Sequence, residues 1–145
     1  MTVPTHHLSA VARAMVAEPV WRWMPGMLIE GPEGPCRIVE ASPSTGKLQV
    51  VIEHLGGQAL VGIRDDAHMV PDLADPATLG CILALCREAS RTPTLYALPQ
   101  SWRGQVAWRV ASARITAGGE HPSEAAALLA ALRLCPSPAP PPETP

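Results

Sequence analysis

Asp72-Leu73-Ala74-Asp75-Pro76-Ala77-Thr78-Leu79-Gly80-Cys81-Ile82-Leu83-Ala84-Leu85-Cys86-Arg87-Glu88-Ala89 holds both a helix start and an apolar helical stripe. Asp75 stands where it can cap a helix whose first residue is Pro76, a position at which the missing N–H of proline costs nothing. Leu79, Ile82, Leu83 and Cys86 then recur at i, i+3, i+4 and i+7, which predicts one apolar face. A second helix of the same kind opens near Pro122, with Ala125, Leu128, Leu129 and Leu132 as its stripe. Its first turn holds Glu124, and His121 falls at the expected N-cap. Between the helices, strands are predicted over 94–98 and 105–115, joined by a turn from Pro99 to Gly104. Val106, Trp108 and Val110 share one face of the second strand, with Arg109 on the other, and Gly118-Gly119 ends it. Residues 71–135 therefore read as an αββα unit, two helices laid on one face of a hairpin.

Residues 1–70 follow a different rhythm. Leu8, Val11, Ala12, Met15 and Val16 mark a short helix before Pro19, with Thr5 or Ser9 as its cap. Trp21-Arg22-Trp23 alternates as a strand would, and Pro25-Gly26 is a turn. Strands are then predicted over 27–31, 35–41, 47–55 and 58–64, separated by turns at 32–34, 42–46 and Gly56-Gly57. Leu48, Val50 and Ile52 lie on one face of the third. The result is an N-terminal helix and a small antiparallel β-meander, SH3-like in outline. Residues 136–145 contain six prolines in ten and are expected to be extended, solvated and disordered. The fold class is α+β.

Composition limits the function classes. Apolar residues make up 47% of the 145, enough for a sizeable interior. With no Phe, one Tyr and four Trp, its bulk must come from Leu, Val, Ile, Met and the tryptophans. Eleven basic and thirteen acidic residues give a net charge of −2, so no global nucleic-acid footprint is present. A local patch of Arg87, Arg91, Arg103, Arg109 and Arg114 keeps a nucleic-acid-binding module as the first alternative. Cys36, Cys81, Cys86 and Cys135 form no C-x-x-C pair and read as small hydrophobes of a reducing compartment. Residues 1–18 lack the pattern of a secretory signal, and the apolar run 125–132 is too short for a bilayer. The expectation is a cytosolic chain without a membrane partner.

Reactive motifs are weak throughout. Gly46-Lys47 resembles the end of a phosphate loop, but Ala41 stands where glycine is required and Leu48 where Ser or Thr is required. Asp65, Asp66 and His68, with Asp72 and Asp75, offer oxygen and nitrogen donors to a metal, yet no pair at helical spacing reinforces them. Among His6, His7, His54 and His121, only a Cys36–His54 pairing suggests a nucleophile, without a nucleophile elbow or glycine-rich turn to support it. The expectation is no enzyme, no metal and no cofactor, with a small hydrolase or metal-dependent enzyme as the second alternative. Pro138-Ala139-Pro140-Pro141 fits a loose P-x-x-P pattern with no basic neighbour, so it is read as part of the solvated tail. Trp102-Arg103 is the partner-binding candidate: a large ring beside a guanidinium in a hairpin turn, two residue types enriched at binding hot spots.

Residues 71–89, from Pro71-Asp72-Leu73 to Arg87-Glu88-Ala89, resemble a segment of small proteins encoded by bacteriophages and prophages. Trp108-Arg109-Val110, Gly119 and Pro122-Ser123-Glu124 onward are similar to the end of the phage ABA-sandwich type of domain, and Trp23-Met24-Pro25-Gly26-Met27 adds to the likeness. His121 departs from it, standing where a small hydroxyl cap is usual. The resemblance covers residues 21–27 and 70–134. It implies a phage or prophage gene and a bacterial cytosol, and it brings no functional residues. The function expected is therefore that of a phage accessory protein that binds another protein, including a host factor it would inhibit.

Overall fold

The computed structural model describes residues 5–31, 34–44, 47–54, 57–63, 69–112 and 116–136, with side chains for 6–30, 35–40, 69–101, 103–112 and 119–136. In chain order its elements are α1 (Thr5–Val16), β1 (Leu28–Gly31), β2 (Gly34–Ser44), β3 (Lys47–His54), β4 (Gly57–Ile63), β5 (Val70–Pro71), α2 (Pro76–Ala89), β6 (Tyr96–Trp102), β7 (Gln105–Ala111), β8 (Thr116–His121) and α3 (Glu124–Leu134). This is the α+β organisation expected: a helix, a meander, then a helix–sheet–helix unit. The strands form two antiparallel sheets, ordered β4-β3-β2-β1-β5 and β6-β7-β8.

Local chemistry explains most of the boundaries. Asp75 caps α2 in extended conformation, its carboxylate accepting the Thr78 N–H at 2.9 Å, and Pro76 opens the first turn. The helix closes with Arg91 at φ 53°, while Thr92 N–H reaches the Arg87 carbonyl and Arg91 N–H the Glu88 carbonyl. That is a Schellman closure with arginine where glycine is usual. Met24-Pro25-Gly26-Met27 is a tight turn closed by Met27 N–H to the Met24 carbonyl, with Gly26 at φ 97°. A Cβ there would also lie 3.3 Å from Cys81 Sγ. In the meander, Ile38 faces Ile52 and Glu40 faces Val51, so Val39 is the extra residue of a β-bulge.

Tertiary packing departs from the sequence reading at several points. Trp21-Arg22-Trp23 is not a strand: Trp21 N–H closes a turn onto the Glu18 carbonyl, and the two rings meet edge to face at 5.4 Å. Three alternating residues are too few to specify a ladder that no neighbour completes. The short β5 joins the meander because Val70 and Pro71 pair with β1. The β3–β4 hairpin pairs His54 with Gly57, so its two-residue loop is one position earlier than the glycine pair predicts. In the C-terminal unit, β6 runs through Pro99, which an edge strand tolerates. β8 makes this unit three-stranded where two strands were expected, because Gly118-Gly119 lies within a strand rather than ending one. Ser123, not His121, caps α3, accepting the Ala126 N–H at 3.1 Å; His121 belongs to β8 opposite Trp108. The small hydroxyl cap is thus present two residues later than expected.

The helices also share the load differently. α3 lies against β6, β7 and β8 and, on its other sides, against α1 and α2. Ala125, Ala127, Leu128, Leu129, Ala131 and Leu132 are all buried, and the alanines let neighbours approach from more than one side. α2 packs on α3 rather than beside it on the sheet. Its buried line is Thr78, Ile82, Leu85 and Cys86, while Leu79 and Leu83 are half-buried. With no phenylalanine available, Met15, Met27 and Trp23 are among the large side chains that fill the core.

Candidate functional site

The outer face of the three-stranded sheet is the candidate site. Directly paired residues share a face, so Tyr96, Leu98 and Gln100 of β6 join Ala111, Arg109 and Ala107 of β7 on one side. Val110, 1% exposed, belongs to the other side, the one α3 covers. On the outer side Tyr96 is 45% and Leu98 41% exposed. Arg109 sits directly opposite Leu98, half-buried, and its Nε is buried without a hydrogen-bond partner among the described residues.

At the end of this hairpin, Arg103 at φ 49° and Gly104 at φ 77° form the two-residue turn between Trp102 and Gln105. Both positive angles fit a type I′ turn, in which asparagine or glycine is favoured at the position Arg103 occupies. Arg103 is exposed. Burial decreases toward the tip: Val106, on the α3 side by alternation, is 59% exposed because it lies past the covered part of the sheet. Trp102 ends β6 rather than lying in the turn, and its side chain is outside the described residues. Of the candidate pair, Arg103 is therefore placed at an exposed tip.

A second polar cluster is structural. Arg37 donates from Nη1 to Asp75 Oδ2 at 3.1 Å and to the Gly26 carbonyl at 2.7 Å, and from Nη2 to Asp75 Oδ1 at 3.2 Å. Thr78 Oγ1 donates to Asp75 Oδ2 at 2.8 Å and accepts the Leu28 N–H at 2.8 Å. The meander is thereby fixed to the start of α2. The Arg37 guanidinium and the Thr78 donors hold the Asp75 carboxyl down to about 2. None of the four cysteines is in a disulfide; burial pushes the Cys86 thiol up to about 12 and also raises Cys81 and Cys135.

The other candidates are scattered. Asp65, Asp66 and His68 lie outside the described residues, and Asp72 accepts the Ala74 N–H at 2.9 Å. Among the described residues, no three His, Cys, Asp or Glu side chains gather as metal ligands. Cys36 and His54 occupy the ladder positions next after the Arg37–Glu53 pair; the side chain of His54 is outside the described residues. Of the arginine patch, Arg87 donates to the Leu95 carbonyl at 2.7 Å, Arg91 follows the C-cap of α2, Arg103 and Arg109 lie on the β6–β7 hairpin, and Arg114 lies outside the described residues. No described helix is long and apolar enough to cross a membrane.

An open groove of about 690 Å³ lies between the α1–β1 connection and the end of α2. The Arg22–Glu88 ion pair joins its two walls through two hydrogen bonds, one of 2.9 Å, and Arg133 Nε reaches Glu18 at 3.0 Å just before the connection. Nothing in the sequence pattern marked this groove, because its walls are separated by more than sixty positions. Compared with models of protein families, with curated proteins and with solved structures, the chain finds no match in any of the three.

Proposed function

We propose that the chain is a phage or prophage accessory protein that acts by binding another protein rather than by catalysis, and that it docks through the outer face and tip of the β6–β7 hairpin. The phage context rests on the resemblance of residues 21–27 and 70–134. The observation that carries the docking surface is Arg103, an exposed guanidinium held at φ 49° where the turn favours a smaller residue. Left-handed backbone costs a non-glycine residue about 1–2 kcal/mol, and such strain gathers at sites of function. The neighbouring Tyr96 and Leu98 supply apolar area, and Arg109, directly opposite Leu98, adds a half-buried guanidinium to the same face. This combination fits a protein surface carrying apolar side chains and at least one carboxylate, since a guanidinium recognises carboxylate through paired hydrogen bonds.

Affinity capture from bacterial lysate tests the proposal, with the full chain and its Leu98→Glu and Arg103→Ala variants as baits. A species retained by the parent and reduced about tenfold on either variant, about 1.4 kcal/mol of binding, is expected. Melting temperatures should match, because both side chains are exposed. No specific species, or equal retention by all three baits, overturns it.

A further inference from the structure

Two thiols far apart in the sequence meet on one side of α3. Cys86 lies in the last turns of α2 and Cys135 is the C-cap of α3. Both donate to backbone carbonyls of α3: Cys86 Sγ to the Leu128 oxygen at 3.8 Å, and Cys135 Sγ to the Ala131 oxygen at 3.3 Å. Three residues of helix advance about 4.5 Å and return to within about 60° of the starting direction, so those oxygens lie about 5 Å apart on the same side. Ala131, buried, places only a methyl group beside this strip. Leu85 and Pro136, the chain neighbours of the two cysteines, line the same open groove, which brings the end of α3 against the end of α2 by a second route. Burial is the main cause of the raised Cys86 thiol, and the nearby Cys135 thiol adds to it.

The two thiols differ in access. Cys86 is fully buried, whereas Cys135 is half-buried and ends its helix with extended backbone, φ −72° and ψ 138°. Cys135 can therefore meet a reagent from solvent, and closing a bond to Cys86 draws on the last turn of α3 rather than on the core. Cys81 is placed otherwise: its thiol donates to the Pro25 carbonyl at 3.4 Å, toward the meander.

We infer that Cys86 and Cys135 are a reversible dithiol–disulfide pair, oxidised by exchange with a low-molecular-weight disulfide such as glutathione disulfide and clasping α2 to the end of α3. Cys135 loses its proton to solvent, and its thiolate attacks one sulfur of glutathione disulfide, releasing one glutathione thiolate. Burial raises the Cys135 thiol, so this step quickens with pH. Cys86 then loses its proton and attacks the Cys135 sulfur of the mixed disulfide, and the second glutathione thiolate leaves. The two cysteines give up two electrons and two protons, and glutathione disulfide takes them up to become two thiols. The pair shares no residue with the β6–β7 docking face, so each proposal stands without the other.

The full chain carrying Cys36→Ser and Cys81→Ser leaves only the proposed pair, and serine keeps a donor for the Pro25 carbonyl. It is treated with glutathione disulfide at pH 8 and quenched with acid, and mass spectrometry of the intact protein and its unreduced peptides reads the products. The expected product is a monomer lighter by two hydrogens, its Cys86 and Cys135 peptides joined, in about tenfold excess over glutathionylated protein. Closing a loop of about fifty residues should raise Tm by about 5–10 °C, and dithiothreitol should reverse both changes. Adding Cys135→Ser should leave Cys86 a free thiol under the same treatment, because Cys135 is the point of entry. Glutathione accumulating on Cys135 without the internal link overturns the inference. So do disulfide-linked dimers as the main product, two unreacted thiols, or glutathione on Cys86 when Cys135 is replaced.

Discussion

Replacing Asp75 by Asn removes one negative charge while leaving an oxygen that can still cap α2, so it isolates the electrostatic part of the Arg37–Asp75–Thr78 cluster. The Asp75 carboxyl lies at about 2, against an ordinary 3.8. That difference corresponds to about 2.5 kcal/mol at 1.36 kcal/mol per pH unit. The Asp75 side chain is only 13% exposed, but Arg37 keeps 40% of its side chain in solvent. Screening through that exposed partner reduces the expected contribution to about 1–2 kcal/mol. The direction follows from proton binding. Between about pH 2 and 4 the unfolded chain holds a proton on Asp75 that the folded chain does not, so stability increases with pH there. The contribution is complete above 3.8 and is lost as pH falls through about 2. Urea unfolding of the parent and Asp75→Asn proteins, at pH values from 7 down to 2, measures it. The stability gap should be about 1–2 kcal/mol at neutral pH and shrink by about half or more near pH 2. A gap that stays constant over the whole range, or no gap at pH 7, would refute the electrostatic account of how the meander is attached to α2.

The turn at Arg103 predicts opposite effects on stability and binding: Arg103→Asn should raise unfolding free energy by about 0.5–1 kcal/mol by relieving the left-handed strain, measured by thermal melts, while weakening capture of the partner. Cys86, with its thiol pushed up to about 12 by burial, should resist iodoacetamide at pH 8 in the folded protein and react once urea unfolds it; mass mapping of labelled peptides reads the outcome.

How much of this was legible depends on the range of the interaction. The Asp75-Pro76 start of α2 and the Pro25-Gly26 turn were read correctly because each is specified by atoms within a few residues. The Leu128, Leu129 and Leu132 stripe was legible for the same reason. α2 shows the limit. Thr78 enters its buried line although it is polar, because its hydroxyl meets Leu28 N–H from a strand fifty positions away. An apolar stripe cannot reveal that partner. For the candidate site, Arg103 was singled out as a hot-spot residue type, whereas its left-handed backbone and the exposed Tyr96–Leu98 face required strand register. The groove at Trp21 was invisible for a similar reason: its lining residues, 19–22, 85–91 and 136, are far apart in the sequence.

The sequence by itself determined the start of α2, the turn at Pro25-Gly26 and the α+β order of elements, since capping, φ preferences and short-period burial act locally. Only the tertiary structure decided that α3 would be the centre, that β5 and β8 would complete the sheets and that Arg37 would hold Asp75. Each of those outcomes rests on hydrogen bonds or packing between distant residues, and their energies exist only once the chain has brought the partners together.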